Sequence, residues 1–163
     1  MTKTKEEKLQ VLVQLAELFN EHEIQWAVGG SLLLYFKGLV SDFHDLDLMI
    51  DEQAGEQVAQ LLEPLGTRRP FIPSPAFQTR CFMEFLIEGV EIDVIGGLAI
   101  VSEGHVHELP LRSEEIEEGF SLEGQRIPLH SLRVWEIYYT LMGRTEKAEI
   151  LRKRNHLKKQ NGN

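Results

Sequence analysis

The feature that most constrains this chain is the run Asp45-Leu46-Asp47-Leu48. Strict alternation of this kind reads as a strand with both aspartates on one face and both leucines on the other. Side chains two residues apart on a strand stand roughly 6–7 Å apart. Two carboxylates at that distance repel by about 2–3 kcal/mol at an effective dielectric near 20. A sheet face under a cleft tolerates such a pair when a cation is at hand. Oxygen-only ligands suit Mg2+, which keeps several waters and shares its shell with substrate phosphates.

The residues around the pair fit that chemistry. Ile24 to Val28 is a short apolar run of strand composition, broken by Gly29-Gly30, and Ser31 opens an apolar segment of helical character over Leu32 to Phe36. Gly29 and Gly30 let the backbone approach a phosphate, and Ser31 offers a hydroxyl and a helix-start amide. A third carboxylate, Asp93, lies 46 residues beyond Asp47 in VEIDVIGG, sharing a face with Glu91 while Val90, Ile92 and Val94 take the other. In a two-metal phosphoryl transfer such a group acts as general base or holds the second ion. Lys37 and Arg80 are the cations considered for phosphate charge.

Bulk composition bounds the rest. At 163 residues, 42% of them hydrophobic, the chain reads as one domain with a core of its own. The N-terminus MTKTKEEK lacks the apolar stretch of a leader, and no apolar run reaches the roughly 18–20 residues that span a bilayer. The single cysteine, Cys81, excludes an intramolecular disulfide and a multi-cysteine zinc site and reads as a small core residue; the cytoplasm is the expected compartment. Charge is uneven. Residues 144–163 hold seven Lys or Arg against two Glu, hence +5, which leaves −14 on the first 143 residues of a chain whose net charge is −9. A general polyanion-binding surface is therefore not expected, although the basic tail could contact an acidic partner.

Thr4 with Glu7 forms a capping-box pattern ahead of Leu9, Leu12, Val13, Ala16 and Phe19, predicting a helix from about Lys5 to Glu21. Strands follow at Ile24–Val28 and Asp45–Ile50, then a helix through Val58, Leu61, Leu62 and Leu65 that Gly66 stops. Residues 67–78 hold three prolines and read as a loop long enough to suggest a role. Thr79–Ile87 and Val90–Ile95 read as a hairpin turning at Glu88-Gly89. A two-residue turn there sets Ile87 opposite Val90 and Glu84 opposite Asp93, with Arg80 on the same face to offset Glu84. Residues 98–129 contain short strand-like pieces around Val106 and Ile127, with Glu114, Glu115, Glu117 and Glu118 between them read as a solvated turn or short helix. Ser131 caps a helix that ends at Gly143, and Thr145 opens a last basic helix. The order α-β-α-β-α-β-β, then mostly helix, predicts an α/β (α+β) fold with a mixed sheet.

Gly29-Gly30-Ser31, Asp45-Leu46-Asp47-Leu48 and the distant Asp93 together resemble the nucleotidyltransferase superfamily that shares the DNA polymerase β-type catalytic core. The likeness is closest to its small bacterial members, the minimal and antibiotic-modifying (lincosamide or aminoglycoside type) enzymes. It implies a mixed β-sheet flanked by helices, with a catalytic core over residues 1–130 and a C-terminal helical segment, 131–163, packed on the same domain. It also implies a nucleotidyltransferase that moves a nucleoside monophosphate from an NTP, such as ATP, to an acceptor hydroxyl, with two Mg2+ ions and loss of pyrophosphate. On that reading Asp45, Asp47 and Asp93 are the catalytic and metal-binding residues, and Gly29, Gly30 and Ser31 bind nucleotide. Related sequences often carry a Lys in the C-terminal helix, where this chain offers Thr140, and an Arg or Thr shortly before the Asp pair, where it reads Val40-Ser41-Asp42-Phe43-His44.

Two familiar nucleotide motifs are absent: no G-x-G-x-x-G follows the first strand, and no G-x-x-x-x-G-K-[ST] occurs. His105 and His107 alternate on a strand-like piece without a third ligand at a suggestive spacing, and read as surface residues. Three function classes remain. One is an enzyme acting on a small molecule, an RNA end or a protein. The second is a nucleotide-binding module without turnover. The third is an interaction protein of toxin–antitoxin type. Self-association into a homo-oligomer is left open.

Overall fold

A computed structural model describes residues 3–160, with side chains up to residue 157. The first helix, α1 (Lys5–Glu21), starts on the capping box, with Glu7 N–H donating to the Thr4 hydroxyl at 3.1 Å and Thr4 N–H to the Glu7 carboxylate at 2.9 Å. Its buried stripe runs through Val11, Leu12, Leu15, Ala16 and Phe19, turned slightly from the face through Leu9 and Val13 that the sequence suggested. From its first turns Lys5 donates to the Ser41 carbonyl at 2.9 Å and Lys8 to that of Phe43 at 3.1 Å. Two ammonium groups thus pin the loop that leads into Asp45.

The chain then alternates β1 (Trp26–Gly29), α2 (Gly30–Phe36), β2 (Leu46–Ile50) and α3 (Gly55–Leu62). A two-residue strand β3 (Thr67–Arg68) precedes the hairpin β4 (Cys81–Ile87) and β5 (Val90–Gly96). Four further strands come before the last helices: β6 (Leu98–Ser102), β7 (His105–Leu109), β8 (Ile116–Leu122) and β9 (Gln125–His130). Helices α4 (Leu132–Met142) and α5 (Thr145–Gln160) close the fold.

Seven strands form one mixed sheet in the order β3-β4-β5-β2-β1-β9-β8, and β6 and β7 form a separate pair. β2 runs parallel to β5, and β1 parallel to β9, while β1 and β2 are antiparallel. The register carries the argument. Gly29 pairs with Asp47, Asp47 with Asp93, and Asp93 with Glu84, so one row crosses four strands. The neighbouring row of Leu48, Val94 and Met83 is buried in the core. The mixed α/β architecture with C-terminal helices is the one the sequence predicts.

The expectation for residues 98–129 is corrected. Only Ser113–Glu115 of the acidic patch is a 3-10 turn, and Glu117 and Glu118 lie in β8. Three hairpins turn on the same Glu-Gly pair: Glu88-Gly89, Glu103-Gly104 and Glu123-Gly124. Both residues of each pair have positive φ, 47–49° for Glu and 77–83° for Gly. That is the type I′ geometry whose twist matches a hairpin. Glutamate pays some strain there, so its appearance before glycine is an under-used signal. Cys81 is half-buried, and a side chain at Gly55 would run into its Sγ. His105 is exposed and His107 half-buried on β7.

Leu48 is fully buried at the centre of the sheet. We expect Leu48→Ala to cost about 2–5 kcal/mol in a urea or guanidinium titration, the range for a core leucine whose site collapses incompletely. A loss under 1 kcal/mol would show that this strand is not central to the core.

Candidate active site

The alternation in β2 and β5 sends Asp47 and Asp93 to the same side of the sheet, and Asp45 precedes β2 on the same side. Oxygens of Asp45, Asp47 and Asp93 lie within 4.8 Å of one another. Three carboxylates this close push one another toward the protonated form. Asp47 is held well above the usual carboxylate range, first by burial and then by the charges of Asp93 and Asp45. Asp93 is pushed up to about 7, again by burial first, with the charges of Asp45 and Glu84 adding to it. Asp45 is raised by burial and by the neighbouring Glu91, against the opposing effect of His44.

Asp45 Oδ1 is buried and accepts no hydrogen bond from any of the described residues. The His44 Nε2 atom lies 3.4 Å away but lacks hydrogen-bond geometry toward it, and sits closer to Glu91, at 3.1 Å. A buried anionic oxygen without a donor is costly in a folded protein. Together with an all-oxygen donor set, it is what a hard divalent cation would satisfy. The three aspartates therefore fit Mg2+.

The two glycines have a structural reason. Gly30 sits at φ +60°, and a Cβ there would overlap the Asp47 carboxylate; a Cβ at Gly29 would overlap the Trp135 indole. Gly30 and Ser31 line the cleft over the aspartates, whereas Gly29 lies beneath Trp135 and does not. Trp135 is fixed from behind, its Nε1 donating at 3.0 Å to Nδ1 of the fully buried His130. Burial alone pushes the His130 imidazole down to about 4, so it stays neutral and able to accept that bond.

Neither cation picked out in the sequence serves the site. Lys37 pairs with Glu117 at 2.7 Å, and Arg80 with Glu108 at 2.8 Å and Glu52 at 3.7 Å. Glu84 does face Asp93, as counted, but its partner is Arg69, which bridges Glu84 at 2.8 Å and Glu91 at 3.0 Å. The cation at the aspartates is Lys147 of α5. Its ammonium donates to the Ser31 hydroxyl at 2.7 Å and lies 5.4 Å from the centre of the Tyr139 ring. Burial, then the charge of Arg144, lowers the Lys147 pKa, while Asp47 and Asp45 oppose that shift. Thr140, where a lysine was sought, is exposed and donates to the Glu136 carbonyl at 2.7 Å. Sequence composition alone did not separate Lys147 from the other basic residues of its helix; only the docking of α5 does.

The aspartates, Ser31 and Lys147 line a cleft of about 710 Å³. The proline-containing loop lines the same cleft through Phe71, Ile72, Pro73 and Phe77, joined by Phe82 of β4. The far half of the loop is sewn to β6, with Gln78 N–H donating to the Ala99 carbonyl and Val101 N–H to that of Ala76, both at 2.9 Å.

Two outcomes follow from this geometry. Because the folded pKa of Asp93, about 7, exceeds its ordinary value of 3.8, the native state holds more protons than the unfolded chain between those values. Stability of the metal-free protein should therefore fall as pH rises from about 4 to 7. A cation replaces the lost proton, so the rise in melting temperature on adding Mg2+ should be small at pH 5 and larger at pH 8. An equal rise at both would contradict the cluster's coupling. Gly30→Ala should displace Asp47 and cost about 1–3 kcal/mol through its left-handed backbone, with the Mg2+-dependent rise lost; an unchanged rise would mean the Asp47 carboxylate is free to move.

The family model for aminoglycoside-2''-adenylyltransferases matches residues 11–154. No curated protein sequence matches the chain significantly. Among solved structures, TM1012 of Thermotoga maritima, provisionally classed as a nucleotidyltransferase, is 24% identical with a TM-score of 0.73 over 95% of this chain and 96% of that one. The lincosamide antibiotic adenylyltransferase LnuA, solved with lincomycin bound, is 18% identical with a TM-score of 0.58 over 93% and 98% of the two chains. ANT(2'')-Ia, solved with adenylyl-2''-tobramycin, is 12% identical with a TM-score of 0.60 over 92% and 90%. At these identities the solved structures speak for the fold, and the family model carries the assignment. The chain belongs to the aminoglycoside-2''-adenylyltransferase family and is a nucleotidyltransferase.

Proposed function

We propose that the protein moves AMP from ATP to a hydroxyl of a small molecule, releasing pyrophosphate, with Mg2+ at the aspartates. The observation that carries this reading is the cluster itself: three carboxylates within 4.8 Å, one with a buried oxygen that accepts no hydrogen bond from the described residues, facing a serine–lysine pair. ATP is favoured as the donor because the family model describes adenylyltransferases and two structural neighbours are adenylylating enzymes in their own right. A small acceptor is favoured over an RNA end or a protein because the cleft, at about 710 Å³, is within the roughly 300–1,000 Å³ usual for small-ligand sites.

In this reading Asp45 and Asp47 would hold the metal, with Asp93 as the third carboxylate beside it, and the ion, when bound, would neutralise the carboxylates and polarise the phosphoryl oxygens. Ser31 and Lys147 take the triphosphate, the lysine exchanging its bond to the Ser31 hydroxyl for phosphate oxygens. Gly30 keeps the backbone low enough for both, and Gly29 acts indirectly by seating Trp135. Asp93 accepts the proton of the acceptor hydroxyl. The hydroxyl oxygen then bonds to the α-phosphorus as the bond to the pyrophosphate oxygen breaks. Residues 1–130 supply the acidic half of the site and 131–163 the cationic half, so the two segments act as one unit. Absence of catalysis is the weaker alternative, since none of the three carboxylates is replaced.

The test is pyrophosphate release from ATP with Mg2+, alongside nucleotide binding. Asp45→Asn and Asp47→Asn should abolish the Mg2+-ATP thermal shift. Asp93→Asn should keep nucleotide binding within a few-fold while transfer falls by roughly 10²–10⁴, as for a lost general base. Lys147→Ala should weaken ATP binding by about 10–100-fold, the worth of a hydrogen bond to a charged group. No shift with Mg2+-ATP in the parent protein, together with no effect of the Asp45 and Asp47 changes, would refute the nucleotide reading.

A further inference from the structure

A second cavity, of about 530 Å³, lies between the end of α2, strand β8, the first turn of α4 and the second half of α5. It shares no lining residue with the cleft over the aspartates. On α5, Arg154 lines this cavity and Lys147 the cleft. Two helical turns separate them, so they share a face and stand roughly 10 Å apart along the axis.

The ionic lining is mostly positive. Lys37, Arg133, Arg152 and Arg154 are set against Glu117 and Glu136. Lys37 is matched by Glu117 at 2.7 Å, and Arg152 by Glu149 at 2.8 Å from outside the cavity. Glu136 accepts from the Asn155 amide at 2.8 Å. Among the described residues, neither Arg133 nor Arg154 has a carboxylate within ion-pair distance. Even with Glu136 counted against one of them, a positive charge is left over, and the sequence after Glu149 contains no acidic residue.

Both arginines are placed at a cost. Arg133 stands in the first turn of α4, where the partial positive charge of a helix end favours a carboxylate, and that turn contains none. Arg154 is half-buried, and its guanidinium does not shed its proton to escape desolvation. An anion seated between them would relieve both. Guanidinium forks on two separate helices suit two phosphate groups, each held by paired N–H donors. The volume is within the roughly 300–1,000 Å³ usual for small-ligand sites. A long polyanion fits less well, because the first 143 residues carry a charge of −14 and would repel it along its length.

We propose that this cavity binds a small molecule bearing two phosphate groups, at a site separate from the nucleotide cleft. One phosphate sits at Arg133 and the N-terminal end of α4, the other at Arg154, so that the ligand ties α5 to α4.

Calorimetry on the full chain, in metal-free buffer at low ionic strength, tests this with fructose 1,6-bisphosphate, glucose 6-phosphate and a short single-stranded RNA. The bisphosphate should bind about tenfold or more tightly than the monophosphate, the worth of one further hydrogen-bonded charged group. The double variant Arg133→Ala, Arg154→Ala should lose about tenfold or more in bisphosphate affinity. Arg133→Glu alone, at an exposed position, should do the same without lowering the melting temperature. Lys147→Ala, which removes the cation of the cleft, should leave bisphosphate affinity within about twofold, as for distant independent sites. The proposal is overturned by no binding of the bisphosphate, by equal binding of the two sugar phosphates, or by a loss in Lys147→Ala with retention in the arginine variants. RNA binding more tightly than the bisphosphate, and weakened by the same arginine changes, would overturn it too by assigning the surface to nucleic acid.

Discussion

Mutual repulsion of Asp45, Asp47 and Asp93 is the constraint on which the rest of the structure turns. The register of two adjacent strands imposes it: Asp47 faces Asp93 across β2 and β5, and Asp45 stands two residues before Asp47. Nothing in hydrophobic packing asks for this. The opposite faces of the same strands bury Leu46, Leu48, Ile92 and Val94, a core that would form equally well over neutral polar residues. Proteins keep such destabilising groups where function requires them.

Much of the surrounding structure can be understood as a response to that cluster. Gly30 leaves space for the Asp47 carboxylate, while α1 lysines tether the approach to Asp45. Arg69 bridges Glu84 and Glu91 and offsets one of their two charges, so the site stays strongly negative around the aspartates. Helix α4 presses Trp135 against Gly29, and the left-handed Gly143 turns the chain so that α5 can bring Lys147 to Ser31. The terminal helices thus complete the site that the strands begin.

Much of this was legible in the sequence because it is local. The capping box fixed α1, the alternation around Asp45 and Asp93 fixed their faces, and the Glu88-Gly89 turn set the register that puts Glu84 opposite Asp93. What escaped depends on tertiary docking or on an atypical local signal. Arg69, not Arg80, meets Glu84, because β3 joins the sheet edge as a two-residue strand too short to show periodicity. Lys147 reaches the aspartates through the crossing of α4 and α5, which no spacing within α5 records. The strands β6 to β9 leave a weak sequence signal because their turns use Glu-Gly in place of the usual Asn-Gly or Asp-Gly. The aromatic wall was visible only as a proline-rich loop, with nothing to say what its apolar residues face.

The most direct test of the central claim is to locate a cation. Crystals grown with Mn2+, an anomalous scatterer of similar ligand preference, and a non-hydrolysable ATP analogue would place the metal from its own signal. The account predicts anomalous density within coordinating distance of Asp45 and Asp47, with Asp45 Oδ1 among the ligands and Lys147 turned from Ser31 onto the triphosphate. Absence of density at the aspartates, or metal bound only between His44 and Glu91, would contradict it.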